Sequence, residues 1–284
     1  VKVATETITP VKAAEYLGKN ANNRNLQANR VAGLAAAIRR GDWVLNGEAI
    51  KFNGKGNLLD GQHRLAAIIS ANLPVETLVV RDAPNEALDT IDTGKTRNVG
   101  DVLKLRGESN GAHLASALRL LGQWKIGKPT NSNALIADGW SPQYAERLLR
   151  EHPSVRDDVS VAGAMANRHA EAAFPSTITA FTMHLFGAIS ADARDDFFLG
   201  WVEDSSGPLA VLRKTLVKDK MTAPHASSGR RIGRYAKLAF VIKAWNYWHD
   251  GVSPSRYIWR GNEAMPAPVG DGPPWVDWAI PAGK

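Results

Sequence analysis

Not one cysteine occurs in the 284 residues. That absence removes disulfides, thiolate nucleophiles and cysteine-ligated metals, and leaves any chemistry to His, Asp, Glu, Arg, Lys, Ser and Thr. No apolar run approaches the length of a membrane span. The start of the chain also lacks the basic-then-apolar pattern of a signal peptide, so the expected location is the cytoplasm. Internal repeats and low-complexity segments are missing as well. Histidines 113, 152, 169, 184, 225 and 249 are scattered, and none stands at metal-ligand spacing from another His or carboxylate, so zinc is not expected. No nucleophile-elbow pattern appears, which leaves a Ser-His-Asp hydrolase without support.

What is present is ordinary for a globular protein with a basic balance: 44% hydrophobic, 22% charged, formal net charge +7. An excess of positive charge favours an anionic partner such as nucleic acid or nucleotide. A typical domain holds about 100 to 200 residues, so the length suggests two unequal parts. The first third alternates helix and strand signals. Thr9-Pro10 caps a helix, Val31 to Arg40 forms another that Gly41 ends, Ala49 to Phe52 reads as a short strand, and Val75 to Val80 has the continuous apolar, β-branched texture of a buried strand. From about Asn110 the pattern turns helical, through Leu114 to Trp124, Ser141-Pro142, Ile178 to Ile189, Asp192 to Val202 and Pro208 to Lys220. It ends in the strongest helix, Arg230 to His249. After Gly251 the chain is rich in Pro, Gly and Trp and reads as an irregular tail. The expected fold is α+β, with a small mixed-sheet domain over residues 1–107 and an α-helical domain over 108–284.

The most informative tract is Leu58-Leu59-Asp60-Gly61-Gln62-His63-Arg64-Leu65-Ala66-Ala67. An apolar strand end runs into a tight turn, and helical spacing of Leu65, Ala66, Ile68 and Ile69 follows. Asp60 is expected as the N-cap, with Gln62, His63 and Arg64 in the first helical turn, where exposed N–H groups and the helix dipole attract anions. A cap alone would explain Asp60. It does not explain Arg64, whose charge has the wrong sign for a helix start. The tract therefore reads as a phosphate cradle. Arg64 supplies bidentate contact, His63 a donor or acid–base group, and Asp60 a base or metal ligand.

A second polar cluster, Ile91-Asp92-Thr93-Gly94-Lys95-Thr96-Arg97-Asn98, also precedes a helical pattern. Its plain reading is a polar loop. Its functional reading has Thr93, Lys95 and Arg97 neutralising the same phosphates while Asp92 holds a divalent ion or orients Arg64. Gly94-Lys95-Thr96 is not a Walker A loop, because the upstream glycine is missing. Arg230, Arg231, Arg234 and Lys237 place positive charge along one side of the last helix, beside Trp245, Tyr247 and Trp248. Such a face is either merely solvated or a nucleic-acid surface, which Arg24 and Arg30 would extend.

On Asn23-Arg24, Gly41-Asp42-Trp43, the DGQHRLAA core and Ile91-Asp92-Thr93-Gly94, residues 5 to 105 resemble the ParB/sulfiredoxin superfamily, in particular its phage and bacterial DGQHR-type members. In that superfamily the equivalent turn and helix start contact nucleotide phosphates, which the resemblance assigns here to Gly61, Gln62, His63 and Arg64. The second half, with Ala244-Trp245-Asn246 after its Arg-rich helix, resembles the helical extension of phage members, so the cytoplasm would then be a host's. Two departures matter. Sulfiredoxin has a cysteine where Gln62 stands, which excludes sulfinic acid repair. Partition ParB proteins carry Glu-Arg-Arg in place of Gln-His-Arg. The expectation is a nucleotide- or DNA-binding protein that performs phosphate chemistry, by nucleotide hydrolysis, DNA cleavage or group transfer in DNA base modification. The alternative is a non-catalytic DNA-binding module with a nucleotide-sensing site. The site admits a nucleoside triphosphate and Mg²⁺. Glu48, Asp60 and Asp92 are the candidate carboxylates, though not at diagnostic spacing.

Overall fold

The structure, a computed structural model, describes residues 1–20, 25–84, 98–222 and 231–273. It is a mixed α+β chain in which helix predominates, and its contacts divide it into two units. The first comprises Val1–Asn98 and Asn131–Tyr144, the second Val99–Thr130 and Ala145–Lys284.

In the first unit, β1 (Lys2–Ile8) leads to α1 (Pro10–Leu17). As the residue types require, Thr9 Oγ1 accepts the amide proton of Lys12 at 3.2 Å and Pro10 opens the helix. Next come α2 (Ala28–Arg39), which Gly41 ends at φ 74°, then β2 (Ala49–Asn53), β3 (Leu58–Asp60), α3 (Gln62–Ala71) and β4 (Val75–Ala83). The sheet order is β1-β4-β2-β3, with β2 parallel to β4 and the outer pairs antiparallel. Ile8, Ile50, Leu65, Ile68 and Val79 are fully buried at the centre of the core that joins sheet and helices.

Two strand expectations change. β1 carries no hydrophobic alternation because nearly all of it is exposed on both faces, so it gives little sequence signal. The apolar run in β4 is buried on one face only: Val75, Thr77 and Val79 point inward, while Leu78 and Val80 are half-buried.

The division of the chain also departs from a single boundary at 107/108. Segment 131–144 returns to the first unit because Gly33 in α2 has no side chain. A Cβ there would come within 2.5 Å of the Ile136 carbonyl oxygen in α6 (Ser132–Ala137). Arg40 fastens the contact by donating to the carbonyls of Asp138 and Gly139.

The second unit is helical among the described residues: α4 (Val99–Leu105), α5 (Gly111–Lys125), α8 (Val155–Arg168), α9 (Ser176–Gly187), α10 (Ala191–Glu203), α11 (Gly207–Thr222) and α12 (Arg234–His249), while α7 (Pro142–Glu151) begins in the first unit and ends in this one. Its core is aromatic. Trp245 stacks on Phe186 at 4.1 Å, and Phe197, Phe198 and Trp201 complete the cluster. The tail after Gly251 has no regular structure over the described residues, but it is not merely draped on the surface. Tyr257 and Met265 are buried, and Val269 accepts the Trp245 indole proton at 2.9 Å. No helix of the described residues is long and apolar enough to cross a membrane.

Candidate functional site

The DGQHR tract lies at the start of α3, and its turn differs from the expected cap. Asp60 is the last residue of β3, and the N-cap is Gly61 at φ 105°. A Cβ on Gly61 would stand 3.1 Å from both Cα and Cγ1 of Ile50, so the turn closes directly over β2 and only glycine fits. The Asp60 carboxylate is spent locally. Oδ1 accepts the Gly61 amide proton at 2.7 Å and Oδ2 pairs with Lys51 Nζ at 2.9 Å. It orients the turn rather than capping the helix.

Gln62, His63 and Arg64 do occupy the first turn of α3. Gln62 and His63 are buried, and each reaches back along the chain. Gln62 Oε1 accepts from Asn20 Nδ2 at 3.1 Å, and His63 Nε2 accepts the amide proton of Gln27, the N-cap of α2, at 3.1 Å. The second bond fixes the proton of a neutral His63 on Nδ1. It also ties the starts of α2 and α3 together. Neither helix has a side-chain cap or an acidic residue in its first turn, so two positive dipole ends meet at one place.

They meet at a cavity of about 450 Å³, a size suited to a small ligand. Gly61 to Arg64 line it, as does Arg30 in the first turn of α2. Trp43, Val44 and Leu45 form an apolar wall, with Val44 and Leu45 more than 40% exposed. Three carboxylates also line the cavity, and each has its own cation: Asp42 with Arg40, Asp60 with Lys51, Glu48 with Arg64. Among the described residues Arg30 has no acidic partner. No group of three metal-ligating side chains comes together among the described residues.

Of the other expected site residues, Arg24, Asp92, Thr93, Lys95, Arg97 and Arg230 lie outside the described residues. The basic helix is rearranged. It begins at Arg234, so Arg231 precedes it, and Lys237 is withdrawn from its face by an ion pair with buried Asp219 at 2.7 Å. Arg231 and Arg234 are exposed. Partial burial and the nearby Arg119 on α5 lower the pKa of Arg234. Trp245 is wholly interior and offers no face for stacking.

One cluster has no counterpart in the sequence reading. Asp158, His184 and His152 are buried, and Lys125 and Glu151 continue the chain outward. The distances are 3.0 Å from Asp158 Oδ2 to His184 Nδ1, 3.0 Å from His184 Nε2 to His152 Nδ1, and 3.3 Å from His152 Nε2 to Lys125 Nζ. An ammonium can only donate, so His152 carries its proton on Nδ1 and gives it to His184, which in turn donates to Asp158. Burial, and then the neighbouring His184 and Lys125, push His152 down to about 4. With 32 residues between the two histidines, no local motif announces the cluster.

Comparison with known proteins adds no relative: no protein-family model matches the chain, and no curated protein or solved structure is significantly similar to it.

Proposed function

We propose that this chain is a DGQHR-type protein with a ParB/sulfiredoxin-like first unit, that it binds a nucleotide in the cavity at the start of α3, and that DNA is its macromolecular partner. The observation that carries the reading is the meeting of two uncapped helix starts, with Arg30 and Arg64, at a cavity also lined by Trp43, Val44 and Leu45. The cationic end suits phosphates and the apolar wall suits a base.

Two roles are open to such a site, phosphate chemistry and nucleotide sensing, and the contacts of the described residues favour the second. His63 Nε2 is engaged by a backbone amide, and Asp60 is held by Lys51 and its own turn. Neither is placed as a general acid or base for a ligand in the cavity. Phosphate chemistry would fall to Asp92, outside the described residues. The DNA reading rests separately on exposed Arg231 and Arg234, the latter beside Arg119.

Calorimetry with nucleoside mono-, di- and triphosphates tests the first part. Arg64→Ala and Arg30→Ala should each weaken binding about tenfold, the equivalent of losing one charge-assisted hydrogen bond of about 1.5 kcal/mol. Unchanged affinity in both variants would remove the cavity from consideration. Steady release of phosphate or cleaved DNA on incubation with nucleotide and duplex would replace sensing by catalysis. For the DNA part, the double variant Arg231→Ala/Arg234→Ala should bind duplex more weakly and with a shallower salt dependence.

A further inference from the structure

Among the three carboxylates that line the cavity, Glu48 is unlike the others. Asp42 and Asp60 are tucked against their cations, with side chains only 16% and 19% exposed, whereas the Glu48 side chain is 53% exposed and the Arg64 it pairs with only 17%. The Glu48 backbone is anchored. Its amide donates to Asn46 Oδ1 at 3.1 Å, and its carbonyl accepts from Thr77 Oγ1 at 3.5 Å. Its carboxylate has one hydrogen-bond partner among the described residues, Arg64 Nη2. Arg64 itself is held a second time, by donation from Nη1 to the Ala49 carbonyl at 2.9 Å. Rotating the Glu48 side chain would therefore leave the guanidinium in place with Nη2 turned to the cavity.

We propose that Glu48 is a latch on the site: it occupies Arg64 in place of a ligand and is fully displaced only by a terminal phosphate or pyrophosphate group, while a phosphodiester leaves the pair partly closed. The proposal rests on the reading of this cavity as a nucleotide site. Its physical basis is charge. A phosphodiester carries one negative charge, so replacing a carboxylate with it gains nothing at Arg64 and costs the displacement of Glu48. A terminal phosphate carries between about −1.5 and −2 at neutral pH and gains on exchange. Because the pair is partly exposed, the exchange is cheap enough to occur: such pairs are worth up to about a fivefold change in an equilibrium constant.

Inorganic pyrophosphate and dimethyl phosphate serve as probes, titrated into the full chain as wild type, Glu48→Gln, Glu48→Asp and Arg64→Ala. Wild type should bind pyrophosphate at least about tenfold more tightly than dimethyl phosphate. Glu48→Gln should tighten pyrophosphate about fivefold and dimethyl phosphate by less, because only a ligand that displaces Glu48 bears the whole cost of the exchange. Glu48→Asp keeps the charge but is one methylene too short to hold Nη2, and it should also tighten both. Affinities in Glu48→Gln equal to or weaker than wild type, with Arg64→Ala still weakening binding about tenfold, overturn the latch and leave the nucleotide site standing. Tightening in Glu48→Gln but not in Glu48→Asp overturns it too, since charge alone would then be the cause. No binding of pyrophosphate to any of the chains overturns both the latch and the site.

Discussion

At the scale of the residue, the site is held by a glycine. Gly61 sits at φ 105° over Ile50 and thereby turns β3 into α3, so that Gln62, His63 and Arg64 face the cavity. Gly61→Ala should destabilise the protein by about 2 kcal/mol or more, since a left-handed backbone and a contact of 3.1 Å act together. A urea midpoint equal to wild type would show that the turn relaxes without cost. The same scale explains why Asp60 was misread. Sequence can place an Asp before a helix, but it cannot tell whether the carboxylate reaches forward to the helix or sideways to a cation. Lys51 across the β2–β3 pair decided that. Glu6 shows the rule elsewhere in the sheet. Burial pushes its carboxyl up, yet hydrogen bonds from Arg81, Lys12 and Tyr16 outweigh that and hold it at about 2.

At the scale of the element, the buried His152–His184 pair joins the end of α7 to α9, and through Asp158 and Lys125 to α8 and α5. Every proton in the chain points from Lys125 toward Asp158. One added proton, on His152 Nε2, would face the Lys125 ammonium. With His152 at about 4 folded and 6.5 unfolded, the unfolded state binds the proton first as pH falls. The stabilisation is fully present above pH 6.5 and is lost progressively down to about pH 4, on the order of 2–3 kcal/mol in all. Denaturant unfolding from pH 7 to 4 should show this loss in wild type and a flatter profile in His152→Gln. Equal slopes in the two proteins would exclude the pair as its source. Helices were the most legible elements, because Pro10, Gly41 and Ser141-Pro142 punctuate them by local chemistry. α6 and α8 escaped the sequence reading, and β1 did so because a strand exposed on both faces has no period to read.

At the scale of the whole molecule, the first unit is not a continuous stretch of chain. Residues 131–144 belong to it, and Arg40 holds them by bonds to Asp138 and Gly139. A fragment ending at residue 107, the boundary that composition suggests, should therefore be less stable than one in which 131–144 is joined back by a short linker, by about 1–3 kcal/mol for the lost hydrogen bonds. Equal thermal midpoints for the two fragments would mean that the returning segment adds nothing. Composition and pattern sufficed for the α+β character, the helical second half and the position of the turn between β3 and α3, since each depends on residues close together in sequence. Tertiary structure alone decided that Arg30 shares a cavity with Arg64, that Lys237 is held in an ion pair with buried Asp219, and that Glu48 pairs with Arg64. The reason is physical. A side chain's charge is written in the sequence, but whether that charge is available depends on which opposite charge the fold brings within reach.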